Sequence, residues 1–481
     1  MTDTVLPVSH LTRGPSSPEV ITCWPSHQLQ GITTYLDLET SKIPKPFFSS
    51  QLQNSKERYL LHHYDQIVAP NMAWADCQEN PWRYIIIPLA LESPPLLNAI
   101  LAFAAKHINA VSFSASREST LVMPVSSPDS FQQRAMNLLA REIQKFTTEK
   151  SSCASVDMHK YVIRNRSNAI LATMLVLCNV ETVWPGQFLL SFNRLTISLN
   201  TGIDSPIWQV HLSAARTVIA SSEDTLPIKT PEDSTSIFLE QELFIANTFA
   251  STTNFLNFGL DEEFRFNTAV SKSSSIFIEF LKLLQVVTSL ERQASTHPAV
   301  LADSGISPSG LRKLFEHARS RTLEMGKEFQ VSGSHEYLHL SRTVNCFYHA
   351  GLIYSYRALW KYEPLARETS TEKDAQIMTF KFELFRALGF AETNKPTFAQ
   401  DLVWPLFIAG TEATQRGEQE MVIAKLQQAM SETGFSNCQH AVEFLNALWQ
   451  RWDCDKVQEN ELDWISFARE WTGQGKTFLV F

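Results

Sequence analysis

From Leu52 onward apolar residues recur at intervals of three and four, and the alternation of a β-strand is almost absent. This pattern constrains the fold more than any motif does. A period of about 3.6 puts apolar side chains on one face of a helix, whereas a strand needs a period of about two. After Ser93-Pro94-Pro95, the residues Leu97, Ile100, Leu101, Ala104 and Ile108 share one face. The tripeptide itself marks a helix start, because serine caps free amides and proline is tolerated in the first turn. Residues 167–184 are apolar on nearly every side, which predicts a helix in the centre of the core. Residues 238–250 and 276–292 read as amphipathic helices. Ser307-Pro308 opens another, with Leu311, Leu314, Phe315, Ala318, Thr322, Met325 and Phe329 on its stripe, and a long helix is expected over 336–360. Gly434 should end one helix and Ser436 cap the next, whose apolar side carries Ala441, Leu445, Leu448, Trp449 and Trp452. The expected fold is all-α: a large bundle of packed helical hairpins with no significant sheet.

Residues 1–50, rich in Ser, Thr and Pro, are expected to form a mobile arm, and residues 51–475 one helical domain. The Ser/Pro-rich stretches 112–128 and 221–236 read as surface loops inside it, since similar helices continue on either side. The net charge of −9 disfavours contact with a phosphate backbone, and no cluster of Lys and Arg offsets it. The seven cysteines (23, 77, 153, 178, 346, 438 and 454) include no Cys-x-x-Cys pair, so neither a zinc site nor a disulfide framework is suggested. Reduced thiols fit a cytosolic or nuclear protein. No apolar run approaches the about 18 residues of a membrane span. The nearest, 84–105, is interrupted by Pro88, Glu92, Pro94 and Pro95, and no membrane association is expected.

The sharpest chemical motif is His335-Glu336-Tyr337-Leu338-His339. Histidines four apart share a helix face and could hold zinc, with the glutamate polarising a water. The third ligand is missing from the nearest extended pattern, since Arg342 and Asn345 stand where Gly and His belong. The expectation is therefore a surface helix start that carries two histidines. Gly473-Gln474-Gly475-Lys476-Thr477 has the ending of a phosphate loop but a misplaced first glycine, and reads as a frayed tail. The eleven tryptophans and 31 phenylalanines, at helical spacing, read as core, and His62-His63 and His107 as helix-surface or core residues. No catalytic, cofactor-binding or metal-ligating residue is assigned, and no cofactor is expected.

Four segments together resemble the fungal-specific transcription factor domain, the regulatory region that usually follows a binuclear zinc cluster. They are Leu60–His107 (LLHHYDQIVAPNMAW, then NPWRYIIIPLALESPPLLNAILAFAAKH), 171–181 with Trp208-Gln209-Val210-His211-Leu212 and Ala214-Ala215-Arg216, 347–359 (FYHAGLIYSYRAL), and 402–413 (LVWPLFIAGTEA) followed by Gly434-Phe435 and the Trp449 helix. Within this frame Pro88, Pro94, Pro95 and Pro405 should fix helix starts, Trp208, Trp404 and Trp449 should anchor the core, and His107 and His211 should bridge helices by hydrogen bonds. Two features depart from the family. The six cysteines of its DNA reader do not occur in residues 1–60, where Cys23 stands alone, so an upstream exon or a partner would have to supply them. Residues 185–206 separate Trp184 from Trp208 where a short connector belongs, which reads as an insertion, with a retained intron as one origin.

The resemblance implies a nuclear regulator of transcription lacking its own zinc cluster and controlling, by family habit, a secondary-metabolite gene cluster. The partners it implies are other transcription factors or coregulators, with DNA reached only indirectly or through a missing N-terminal module. It also implies a small-molecule effector, held in a hydrophobic pocket lined by phenylalanine, and dimer pairing. Two other readings remain open: a helical adaptor without DNA association, and a zinc hydrolase built on His335, Glu336 and His339.

Overall fold

Asn54, extended at φ −99, accepts the Lys56 amide with its side chain at 3.0 Å and starts the first helix. That helix, α1 (Ser55–His63), runs without a break into a π-helical turn, Tyr64–Val68, and then α2, Ala69–Met72. The widened turn sits just ahead of Pro70, whose missing N–H could not have continued a regular ladder. The computed structural model describes residues 54–74, 76, 79–115, 128–150, 157–181, 183, 207–223, 234–254, 276–297, 299–328, 334–362, 370–390, 400–435, 437–455 and 463–476. The arm 1–50 and the insertion 185–206 lie outside them, as do Phe329 and Ser436.

Among the described residues every regular element is helical. They continue as α3 (Pro81–Tyr84), α4 (Ile86–Glu92), α5 (Pro94–Ala115), α6 (Pro128–Lys150), α7 (Asp157–Val180) and α8 (Ile207–Glu223). Then follow α9 (Ser234–Thr253), α10 (Ile278–Thr296), α11 (Ala299–Asp303), α12 (Pro308–Glu328), α13 (Ser334–Leu359) and α14 (Ser370–Phe390). The last four are α15 (Val403–Gly410), α16 (Arg416–Thr433), α17 (Asn437–Asp455) and α18 (Trp464–Gly473). The extended pairing is an isolated antiparallel bridge between Val183 and Phe435. The all-α reading of the sequence holds. No described helix is long and apolar enough to cross a membrane.

The helices enclose two apolar cores. The first gathers α1, α5, α6, α7 and α8 around Phe103, Leu175 and Leu177. The second gathers α10 and α12 to α18 around Phe280, Phe347, Trp404 and Trp464. Helix α9 belongs to both, giving Phe238, Leu239 and Leu243 to the first core and Phe244, Ile245 and Phe249 to the second. It is therefore buried nearly all round, and the amphipathic reading of 238–250 is corrected: a helix shared by two cores has no solvent face to spare. Phe435, from the turn between α16 and α17, also reaches into the first core and Trp74 into the second.

Other expectations need smaller revisions. The stripe on α12 holds at Leu311, Phe315, Ala318 and Thr322, but Leu314 is 50% exposed. Leu311 and Phe315 are one turn apart, and Leu314 falls on the edge of their stripe. Helix α5 runs on to Ala115, and α8 and α9 extend to Glu223 and back to Ser234, so both expected loops are shorter than their composition suggested. The frayed tail is a capped helix end. Gly475, at φ +74, donates to the Thr472 carbonyl at 2.9 Å and the Lys476 amide donates to Trp471 at 3.2 Å. This is the paired 5→2 and 6→1 closure that an αL glycine permits, and it gives the Gly-x-Gly-Lys sequence a structural reason.

Candidate functional site

The segment between α2 and α4 is built to deliver two tryptophans to the interior. Asn80 is completely buried; its Nδ2 donates to the Ala69 carbonyl at 2.9 Å and to Asp76 Oδ1 at 3.0 Å, and its Oδ1 accepts the Trp82 amide at 3.0 Å. One side chain thus caps α3 and ties it to α2. Arg83 completes the tie, donating to the Asp65 carbonyl at 2.8 Å and forking onto Asp76 at 2.9 and 3.2 Å. Trp82 is set edge-on against Phe238 at 5.4 Å, and Trp74, carried by the extended residue Ala73, packs on Phe277 at 4.6 Å.

These two indoles line a cavity where the two cores meet, with a volume of about 70 Å3. Leu175, Cys178 and Asn179 of α7, Glu242 and Phe249 of α9, and Trp404 of α15 form other walls. Trp404 is fixed by an indole bond to Thr252 Oγ1 at 3.2 Å and a stacked contact with Phe347 at 5.7 Å. Phe435, Gln400 and Asp401 also line it. The sequence anticipated an apolar pocket lined by phenylalanine. The aromatic wall is instead mainly tryptophan, and it carries two carboxyl groups.

Both carboxyl groups are unusual. Burial pushes Glu242 up to about 8 and holds Asp401 well above the ordinary carboxylate range. Each lies deep among protein atoms yet keeps accessible surface, which fits oxygens that face the cavity. Among the described residues neither makes a hydrogen bond or an ion pair, and the buried indole N–H of Trp82 also has no acceptor. Sequence reasoning passed over both acids. The signal was there: Glu242 directly precedes the apolar run Leu243-Phe244-Ile245-Ala246, and Asp401 directly precedes the run Leu402-Val403-Trp404-Pro405. A charge in such company needs a partner or a proton.

The residues singled out from sequence divide. His107, on α5, bridges as expected: His63 Nε2 lies 3.0 Å from its Nδ1, and its Nε2 lies 3.1 Å from the carbonyl of Thr433 at the end of α16. That carbonyl can only accept, so His107 carries its proton on Nε2 and accepts from His63. Burial lowers both, His107 to about 4 and His63, with His107 adding its charge, to about 3. His211 is buried, but its Nε2 finds no partner among the described residues, so the bridge expected there is not seen. Trp449 donates to the Gly410 carbonyl at 3.0 Å, as an anchor should, and Trp208, buried in the first core, also lines a second cavity beside Leu212 and Ala250. Pro88 and Pro405 sit in the first turns of α4 and α15, and Pro94 begins α5.

His339 is not on the surface: it is 4% exposed on α13. Its neighbour Leu338 takes the exposed position, because residues 339, 340, 343 and 344 form the inward face. The side chains of His335 and Glu336 lie outside the described residues, and among the described residues no group of three His, Cys, Asp or Glu side chains could hold a metal ion. Cys178, Cys346 and Cys438 are buried thiols, all pushed up by that burial.

Set against known protein families, residues 59–480 match the fungal specific transcription factor domain. No curated protein and no solved structure matches the chain.

Proposed function

Because the chain belongs to the fungal specific transcription factor domain family, we propose that it regulates transcription in the nucleus through partner proteins, as a helical receiver of a signal. The observation that carries this is the extent of the match, which takes in both cores and the helix they share. Transcription regulation is the family's business; the rest is our reading. The net charge of −9 favours DNA association through another factor or an N-terminal module rather than through the surface of these helices. Other transcription factors or coregulators are therefore the partners, and a dimer is one form the partnership can take. The central cavity favours a small molecule as the signal. Control of a secondary-metabolite gene cluster is the target that the family resemblance suggests.

The test has two parts. The chain, fused to a heterologous DNA-binding domain and placed at a reporter promoter, should change reporter output, and the unfused chain should accumulate in nuclei. An unchanged reporter together with exclusion from nuclei would sink the proposal. In gel shifts at physiological salt the purified chain alone should leave promoter DNA free and retard it only when a partner factor is added. Failure to join any such complex while still altering the partner's activity would favour the adaptor reading.

A further inference from the structure

The fold shows how it treats a buried carboxylate that serves structure. Glu412 is met by a two-pronged contact from Arg357, at 2.9 and 2.7 Å. Glu291, fully buried, is approached by Lys361 at 3.3 Å, by Tyr362 at 3.2 Å and by the Arg469 guanidinium. Glu242 and Asp401 have no counterpart of this kind among the described residues. They share one cavity, and the wall around them is Trp74, Trp82 and Trp404. The cavity's volume, about 70 Å3, is several times the roughly 10–15 Å3 that a single water occupies, which is room for the polar head of a small guest.

Consider what could occupy it. An anion would meet two carboxyl groups and aromatic rings whose faces are negative, and among the described residues the lining shows no cation to hold it. A wholly apolar guest would strand the two acids away from water. An organic ammonium answers both, since indole faces attract cations and a desolvated carboxylate is a strong acceptor. We propose that the cavity between the two cores is a receptor site for a small amphipathic ammonium, its apolar body among Trp74, Trp82 and Trp404 and its charged head on Glu242 and Asp401. This deepens the reading of the domain as a receiver and rests on it.

The protons balance simply. The ammonium arrives already charged, and a carboxyl group that was neutral in the empty cavity gives its proton to solvent as the pair forms. With Glu242 held at about 8, binding near neutral pH should release protons, and affinity should rise with pH from about 6 to 8.

The purified full chain would be titrated calorimetrically with 2-phenylethylammonium, tryptammonium and hexylammonium, and with two charge controls, 2-phenylethanol and 3-phenylpropionate. Titrations in two buffers of different ionisation enthalpy count the protons. At least one ammonium should bind with proton release, and Glu242→Gln and Asp401→Asn should each weaken it about tenfold or more, the scale of a hydrogen bond to a charged group. Thermal unfolding of each unliganded variant checks that its fold persists. The proposal is overturned if no ammonium binds, if 3-phenylpropionate binds best, or if 2-phenylethanol binds as tightly and neither substitution matters. Should the ammonium fail while the tethered chain still moves the reporter, this inference alone falls. Tight ammonium binding with a silent reporter discards the transcription reading instead.

Discussion

A hydrogen bond between two histidines is a fragile way to join three helices, and its fragility is useful as a probe. His63 and His107 are both held neutral, and the acceptor at the far end is the Thr433 carbonyl. Protonating either ring puts a charge where two helices and a carbonyl have displaced water. The folded-state values, about 3 and about 4, lie below the ordinary 6.5, so the unfolded chain binds these protons first. The stability the pair supports is complete above pH about 6.5 and declines as the pH falls through that value toward about 4. Melting temperatures from pH 7.5 to 4.5 should therefore fall, and His107→Gln should flatten the fall while lowering the plateau by about 1–3 kcal/mol for the strained contacts it leaves. A variant whose profile keeps the wild-type slope would show that other groups govern acid lability. From the sequence alone a bridging role for His107 was readable, because a polar residue on the apolar face of α5 must find partners. Its companion His63 was not, since the pair is 44 residues apart and no local spacing links them.

At the scale of elements, α12 and α13 approach closely at Gly351. A Cβ built there would come 2.4 Å from a ring carbon of Phe315, a fully buried side chain at the centre of the second core. Phe315 packs in turn against Phe280 at 6.3 Å, so it has little room to retreat. Gly351→Ala should therefore destabilise the chain by about 1–3 kcal/mol, even though alanine is the better helix former by roughly 1 kcal/mol. A chemical denaturation curve decides between the two effects, and an unchanged or raised midpoint would mean that the helices slide apart at negligible cost. The contest is informative because helix propensity is legible in sequence and interhelical distance is not. The three-and-four spacing that located α5, α12 and α17 was sufficient to find the elements and their inward faces. It could not show that α9 serves two cores, because Glu240, Gln241, Glu242 and Asn247 give its sequence a polar side that reads as a solvent face.

Across the whole molecule, the same helix settles how much of the site could have been foreseen. A pocket was an expectation of the family resemblance, but its chemistry was not legible, because Glu242 and Asp401 are 159 positions apart (401 minus 242) and line one cavity only when α9 lies between the cores. That arrangement also has a thermodynamic consequence. Leu243 faces the first core and Phe244 the second, both within 1% of complete burial. Neither core can release α9 without exposing the apolar surface of the other, and Phe435 and Trp74 lock the halves at two further points. Residues 51–481 should consequently unfold as one cooperative unit despite having two cores. Tryptophan fluorescence weighted by Trp360, Trp404 and Trp464 reports the second core, and far-ultraviolet circular dichroism reports all helices. Their denaturation curves should coincide for the native chain, and also for Leu243→Ala, shifted together by the about 2–5 kcal/mol expected of a buried leucine. Two separated transitions, or a Leu243→Ala curve in which helicity falls while the tryptophan signal stays in place, would show that the cores are independent and that α9 is a connector between them. In that event an occupant of the central cavity could stabilise one core without the other, whereas in a single cooperative unit its binding energy must be felt by every helix in the bundle.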